Sequence, residues 1–482
     1  MRAYFKRVSA CCVGVLALGV TVQSEASNAR YAVVVSQETA ANPAWSRVVE
    51  ALKEKRQAQV FTYGTNIAET LPRLREQFPR YACFVARPEE ATRDFVAQVH
   101  RLTRQLDADP YTDCFWGILT GYDATNALRI ARQREPLTVR KVAAGTALAM
   151  DMVEEGVWYC ELNKNKMVKK APGQAAVELK GPDDTTQALV DALNDYQADM
   201  FVTSGHATER DWQIGFRYKN GYFKHEDGEL YGEDTNGRKW PVRSLNPKIY
   251  LPVGNCLMGH IDQPDCMATA WMNSAGVCQM FGYTQPTWFG YLGWGVLDYF
   301  VEQPGRYTLT EAFFANHHAL THRLATYFPD MLAAQADAQG RVSVRPEFSD
   351  AAQHAGLTAN DARGLVFDRD VVAFYGDPAW QARMADQPKA FEQTLTEQNG
   401  VFAFTIKPNR AEKSFQAINT NGSQRGGRPF LAYLPHRIRS PKVSVGADLN
   451  PVITDDFILV PNPGACDPTR DYRVVFAAER IP

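Results

Sequence analysis

Two apolar runs in this chain end in residues able to do chemistry together. Met200-Phe201-Val202-Thr203 leads into Ser204-Gly205-His206-Ala207, and fifty residues on Tyr250-Leu251-Pro252-Val253 leads into Gly254-Asn255-Cys256-Leu257. An imidazole beside a thiol takes its proton or stabilises the thiolate, the nucleophilic form of cysteine. Small residues on either side leave room for a substrate backbone to approach. The main-chain N–H of Cys256, with that of Gly205 or Ala207, would face the oxyanion forming on an attacked carbonyl. Each residue alone has a bland explanation, since cysteine is commonly buried and histidine often fills a partly buried polar slot. The matched contexts single them out, because functional groups in an open parallel sheet gather beyond the carboxyl ends of neighbouring strands.

Such a placement needs a sheet, and the surrounding pattern predicts one. Residues 31–35, 60–63, 81–85 and 115–119 are short apolar runs that read as strands. Between and after them, helices are expected at 45–55, 68–78 and 91–106, followed by one capped by Asp123 that carries Ala127, Leu128 and Ile130. A mixed connection follows. The alternation then resumes with a helix at 185–194, strands at 200–203 and 248–253, a helix at 267–274, a strand at 277–282 and a helix at 310–327. The polar stretch 218–236 reads as a surface loop or hairpin, and 342–344 as a short strand. Strands alternating with helices predict a parallel sheet covered on both faces. Beyond Trp380 the character changes: short strands at 401–406, 457–460 and 472–477, separated by Gly, Asn and Pro, predict a small antiparallel β-sandwich.

The amino-terminal residues point to export. Arg2, Lys6 and Arg7 precede an apolar run at 8–22, and small residues follow at Ser24, Ala26, Ser27 and Ala29. This is the layout of a signal peptide cleaved after Ala26 or Ala29. Its apolar run is about 15 residues, short of the roughly 20 that a membrane span needs. No later segment is apolar enough to span, so the expectation is a soluble mature chain that is secreted, periplasmic or at the cell surface. The expected units are residues 1–29 as signal peptide, 30–140 as an N-terminal α/β subdomain, 141–384 as a catalytic α/β subdomain and 385–482 as the sandwich.

Composition adds exclusions. The formal net charge is −2 on 52 basic and 54 acidic residues, which argues against a nucleic-acid surface or a polybasic membrane patch. With Cys11 and Cys12 in the signal, Cys83, Cys114, Cys160, Cys256, Cys266, Cys278 and Cys466 remain. Seven is odd, so at least one thiol stays free or pairs with another molecule. His260, Cys266 and Cys278 near Cys256 match no zinc spacing. His318 and His322 stand at i and i+4 on one helix but lack the His-Glu-x-x-His pattern, and read as a solvated helix face. No metal and no cofactor is expected. A serine hydrolase lacks support, because no Gly-x-Ser-x-Gly elbow occurs.

Four blocks of the chain resemble the gingipain-like cysteine peptidases of the caspase-like clan. Thr203-Ser204-Gly205-His206-Ala207-Thr208-Glu209-Arg210-Asp211-Trp212 resembles that family's histidine block. Val253-Gly254-Asn255-Cys256, with Pro264 and Cys266 about ten residues on, resembles its nucleophile block. Gly282-Tyr283-Thr284-Gln285-Pro286-Thr287-Trp288 resembles the loop carrying a substrate-pocket tryptophan, and Phe374-Tyr375-Gly376-Asp377-Pro378 the element that closes the catalytic domain. The blocks occur in family order over residues 198–378; the first 190 residues resemble the family less.

The resemblance implies a caspase/gingipain-like parallel-sheet unit in two subdomains, followed by an immunoglobulin-like β-sandwich. It implies peptide-bond hydrolysis through an acyl-thioenzyme, with Cys256 as nucleophile, His206 as base and a peptide or protein as substrate. The N–H groups of Ala207 and Cys256 would form the oxyanion hole, and Trp288 a pocket wall. Asp109-Pro110-Tyr111-Thr112-Asp113-Cys114-Phe115-Trp116-Gly117 resembles a stretch of the arginine-specific members. That likeness implies Asp109 at the pocket floor and cleavage after Arg or Lys. The chain departs from the family at Ala207, where glycine is usual, and offers no clear counterpart of the acid that orients the histidine. The alternative is a catalytically inactive exported binding or adhesion protein in which the sandwich does the recognition. The oligomeric state is not legible.

Overall fold

A computed structural model describes residues 30–337 and 340–481, so the signal-peptide reading of residues 1–29 lies outside the described residues. The first strand, Tyr31–Ser36, is buried along its whole length. After a short helix, Gln37–Ala41, the helix Pro43–Arg56 starts where Asn42 Oδ1 accepts the N–H groups of Ala44 and Trp45, with proline in its first turn. Its buried residues Trp45, Val48, Val49 and Leu52 recur at helical spacing, as the sequence predicts. Asp123 does cap Ala124–Arg132, accepting the Asn126 N–H.

The architecture is mixed α/β around one twelve-stranded sheet. Its order is Gln59–Tyr63, Tyr31–Ser36, Tyr81–Val85, Phe115–Leu119, Val372–Gly376, Val277–Tyr283, Lys248–Pro252, Met200–Thr203, Lys141–Ala144, Glu155–Tyr159, Lys166–Lys170 and Val177–Lys180. Most pairs are parallel; Val372–Gly376 runs antiparallel to Val277–Tyr283, and Lys166–Lys170 and Val177–Lys180 form an antiparallel edge. Central strands such as Phe115–Leu119, Lys248–Pro252 and Val277–Tyr283 are buried throughout, as expected of strands covered on both faces. The edge strand Val177–Lys180 is exposed at every position and carries Glu178 and Lys180, charges that discourage pairing with another chain.

Several elements differ from expectation for physical reasons. The two α/β halves share one sheet, with Val372–Gly376 between them and its Tyr375 opposite Ile118 on one side. The stretch read as a mixed connection holds Leu137–Val139 and four strands that extend the sheet; they are short and polar at the edge, so their alternation is weak. Tyr291–Phe300 is a helix in which all ten residues are buried, which leaves no polar face and hence no period to read. Residues 218–236 contain the hairpin Tyr222–Glu226 and Glu229–Glu233. The strand expected at 342–344 is only an isolated bridge from Ala336 to Val342.

His317 and His318 overturn the reading of a solvated helix face. Both lie buried in Leu309–Tyr327, with His317 Nδ1 3.3 Å from Thr112 Oγ1 and Nε2 3.1 Å from the Arg369 carbonyl. His318 stacks on Phe457 with ring centroids 4.4 Å apart. That face of the helix is covered by the carboxyl-terminal strands, which local sequence cannot reveal.

The tail forms its own antiparallel sheets and adds no strand to the large one. Phe391–Gln398, Val401–Pro408, Tyr472–Arg480 and Ile438–Val445 make one; Phe430–Tyr433, Phe457–Val460 and Val452–Ile453 make the other. Phe402, Phe404, Ile406, Phe430, Val474 and Phe476 build a core between them. The tail is not a free bead, however. Leu431, Phe457 and Leu459 belong to the core of the large unit, and Tyr299 and Tyr307 hydroxyls donate to the carbonyls of Pro429 and Leu431.

Candidate active site

Met200–Thr203 and Lys248–Pro252 are neighbours in parallel register, with Thr203 opposite Pro252. His206 comes three residues beyond one strand end and Cys256 four beyond the other, so both leave the same edge of the sheet. The backbone ties the ends together, Val253 N–H donating to the Thr203 carbonyl at 3.0 Å. Buried Asn255 ties the loops beyond them: its Nδ2 donates to the Gly205 carbonyl at 3.0 Å, and its Oδ1 accepts from Thr203 Oγ1 at 2.6 Å. The two loops meet again further out, where Arg210 pairs with Asp262 and donates to the Asp265 carbonyl.

Unusual backbone conformations flank the two reactive residues. Gly205, just before His206, has φ +94°. Leu257, just after Cys256, has φ +58°, a left-handed conformation uncommon for a branched residue and typical of sites where geometry is imposed. The His206 side chain is exposed and lies against Phe216, ring centroids 4.8 Å apart. Its loop is a short hairpin in which Ala207 bridges Trp212, while Trp212 Nε1 donates to the Ser204 carbonyl at 2.8 Å. Among the described residues no carboxylate bonds the His206 ring.

Cys256 Sγ accepts the Thr287 N–H at 3.2 Å, and Thr287 Oγ1 donates to the Asn255 carbonyl at 3.0 Å. Of the seven cysteines described, six are buried and Cys256 alone is partly exposed. Burial pushes the thiols of Cys83, Cys114, Cys266 and Cys278 upward, which disfavours their ionisation. The main-chain N–H groups of Cys256 and Ala207 meet no acceptor among the described residues. Trp288 follows the sulfur-binding Thr287, is 52% exposed, and rests its ring on Phe367 at 5.4 Å.

Behind the loop, Asp368 is fully buried and accepts from the Tyr283 hydroxyl at 3.0 Å and the Leu292 N–H at 2.8 Å. Burial outweighs these bonds and pushes its carboxyl up to about 7. Asp368 and Thr287 are parts of the site that sequence reasoning missed, because a main-chain N–H and a buried support leave no residue pattern. Asn255 did leave a trace, as a polar residue between an apolar strand and the thiol.

Asp109 lies elsewhere. Arg93 opens the 11-residue helix Arg93–Thr103, and its guanidinium reaches Gln285 Oε1 at 3.2 Å and the His260 ring at 3.0 Å, on the loops that flank Cys256. Asp109 follows the other end of that helix, roughly 16 Å of helix away. There its carboxylate accepts the Tyr111 N–H at 2.8 Å, and it groups with Asp107 and Asp113, their oxygens within 4.8 Å of one another. Burial, then Asp107, pushes Asp109 up to about 6; burial, then Asp107 and Asp109, pushes Asp113 up to about 9. These three carboxylates are the one group among the described residues whose geometry could hold a metal ion. The structure therefore sets the loops that carry His206, Cys256 and Trp288 at one edge of the sheet, and places Asp109 beyond the opposite end of the helix that Arg93 opens.

Comparisons of the chain with protein-family models, curated proteins and solved structures find no match.

Proposed function

We propose that this chain is an exported cysteine endopeptidase acting through a His206–Cys256 dyad. The observation that carries the reading is that the one partly exposed thiol among the described residues and an exposed imidazole leave adjacent parallel strand ends, with Asn255 holding their loops together. In this mechanism His206 takes the Cys256 proton and the thiolate attacks the carbonyl carbon of the peptide bond. The free N–H groups of Cys256 and Ala207 receive the oxyanion. His206 returns the proton to the leaving amine as the C–N bond breaks, which leaves an acyl-thioenzyme. It then takes a proton from water, whose oxygen attacks the thioester and releases the acid and the free thiol.

In this reading the histidine is placed by Phe216 and the short hairpin, no carboxylate among the described residues bonding its ring. The flat face of Trp288 suits the stem of a long side chain before the cut, such as Arg or Lys. Mass spectrometry after brief iodoacetamide treatment tests the reading. Cys256 should be alkylated well before the six buried thiols, and Cys256→Ala should abolish cleavage of a protein substrate with thermal stability nearly unchanged. Uniformly slow alkylation, or cleavage that survives Cys256→Ala, would overturn it and favour a binding protein.

A further inference from the structure

A segment of the carboxyl-terminal sandwich, residues 418–428, reaches the edge of the large sheet where Cys256 sits. Its base is anchored in buried charge. Arg425 pairs with Asp298 at 2.6 Å and with Glu302, while Glu302 also accepts the N–H groups of Ile418 and Asn419 at 3.0 and 3.2 Å. Arg428 donates to Asn316 Oδ1 at 2.8 Å, and the Gly426 N–H to Asp298 Oδ2 at 2.9 Å. Two buried carboxylates thus meet two guanidiniums and three main-chain donors. A network satisfied to that degree holds a loop in one position.

The tip spans the site. On the cysteine side, Gly422 lies so close to the Trp294 ring that a Cβ there would come within 2.2 Å of it. The same Trp294 ring stands close to Gly254, two residues before Cys256, where a Cβ would lie 2.8 Å from the indole. Ser423 packs on Gly290, at the end of the loop that carries Thr287 and Trp288. On the histidine side, Asn421 Nδ2 donates to Thr146 Oγ1 and Glu161 Oε1, each at 3.0 Å. The Glu161 carbonyl in turn accepts the N–H of Phe216, the ring against His206. Gly422 and Ser423 themselves remain exposed.

We infer that the 418–428 segment forms one wall of the groove that receives the peptide, so that the sandwich is a specificity-determining part of the catalytic unit. The inference rests on the dyad reading. A rigid strap whose two ends touch the supports of Cys256 and of His206, with small exposed residues between, limits what can lie across the site. It excludes bulk on that side and leaves small reagents free access to the sulfur.

Rates of Cys256 modification in the full chain test this with two probes, iodoacetamide and a tripeptidyl chloromethyl ketone ending in arginine. Ser423→Trp should leave the iodoacetamide rate unchanged and slow the peptidyl reagent on the order of tenfold, since misplacing a bound reactant by a fraction of its width costs that much. Asn421→Ala, which frees the histidine end of the strap, should slow the peptidyl reagent in the same direction and stands in should Ser423→Trp fail to fold. Equal effects on both reagents, or none on either, would overturn the wall. A parent protein in which Cys256 reacts with neither probe ahead of the buried thiols defeats the dyad reading itself, and the inference with it.

Discussion

The side-chain amide of Asn255 donates to the main-chain carbonyl of Gly205 at 3.0 Å, so the residue before the thiol holds the residue before the imidazole. Few single contacts could couple two loops so directly. Asn255→Ala should leave the part-buried Gly205 carbonyl without its donor and cost about 1–2 kcal/mol of stability. On the dyad reading it should also lower kcat up to about a hundredfold with a smaller change in KM, because relative placement of base and nucleophile is lost. Chemical denaturation and steady-state kinetics on one preparation check both.

Gly205 offers a cleaner probe of backbone geometry. Its φ is +94°, and an added methyl would find its nearest neighbours 3.9 Å away, so Gly205→Ala introduces conformational strain without a clash. The expected cost is about 1–2 kcal/mol, with His206 displaced and activity reduced. A variant as stable and active as the parent would show that the left-handed turn is dispensable.

Trp288→Ala should leave the melting temperature unchanged, since the ring is half exposed. It should raise KM roughly fivefold for substrates with Arg or Lys before the cut, the effect of one exposed cation–aromatic contact. Asp109→Asn, on the far side of the helix from Arg93, should leave that preference as it is. A fluorogenic peptide panel separates the two outcomes.

Asp377 makes a pH prediction. Lys55 and Arg56 pair with it at 2.9 and 2.7 Å and the Tyr31 hydroxyl donates at 2.8 Å, joining strand Tyr31–Ser36 and helix Pro43–Arg56 to the end of strand Val372–Gly376. Burial opposes the charge, yet the two cations prevail and hold the carboxyl down at about 2. A group depressed below its unfolded value adds stability above that value, near 4, and loses it as pH falls through 2. Asp377→Asn should therefore cost about 2 kcal/mol at pH 7, with the deficit shrinking between roughly pH 4 and pH 2. Urea melts of both proteins at a series of pH values measure it.

Read alone, the sequence determined the local elements around the site. The strands read at 200–203 and 248–253 and the helices read at 45–55 and 310–327 occur as Met200–Thr203, Lys248–Pro252, Pro43–Arg56 and Leu309–Tyr327, because strand and helix periods are properties of neighbouring residues. It also determined that a thiol and an imidazole close matched strands. Tertiary structure decided the rest. It placed those strands side by side, set the Thr287 N–H against the sulfur across 31 residues, and put Asp109 at the opposite end of a helix from the loops beside Cys256. It buried His318 beneath Phe457 and carried Asn421 to Thr146 across 275 residues. Contacts of that length depend on sheet order and on which faces meet, and neither is written in the period of any one segment.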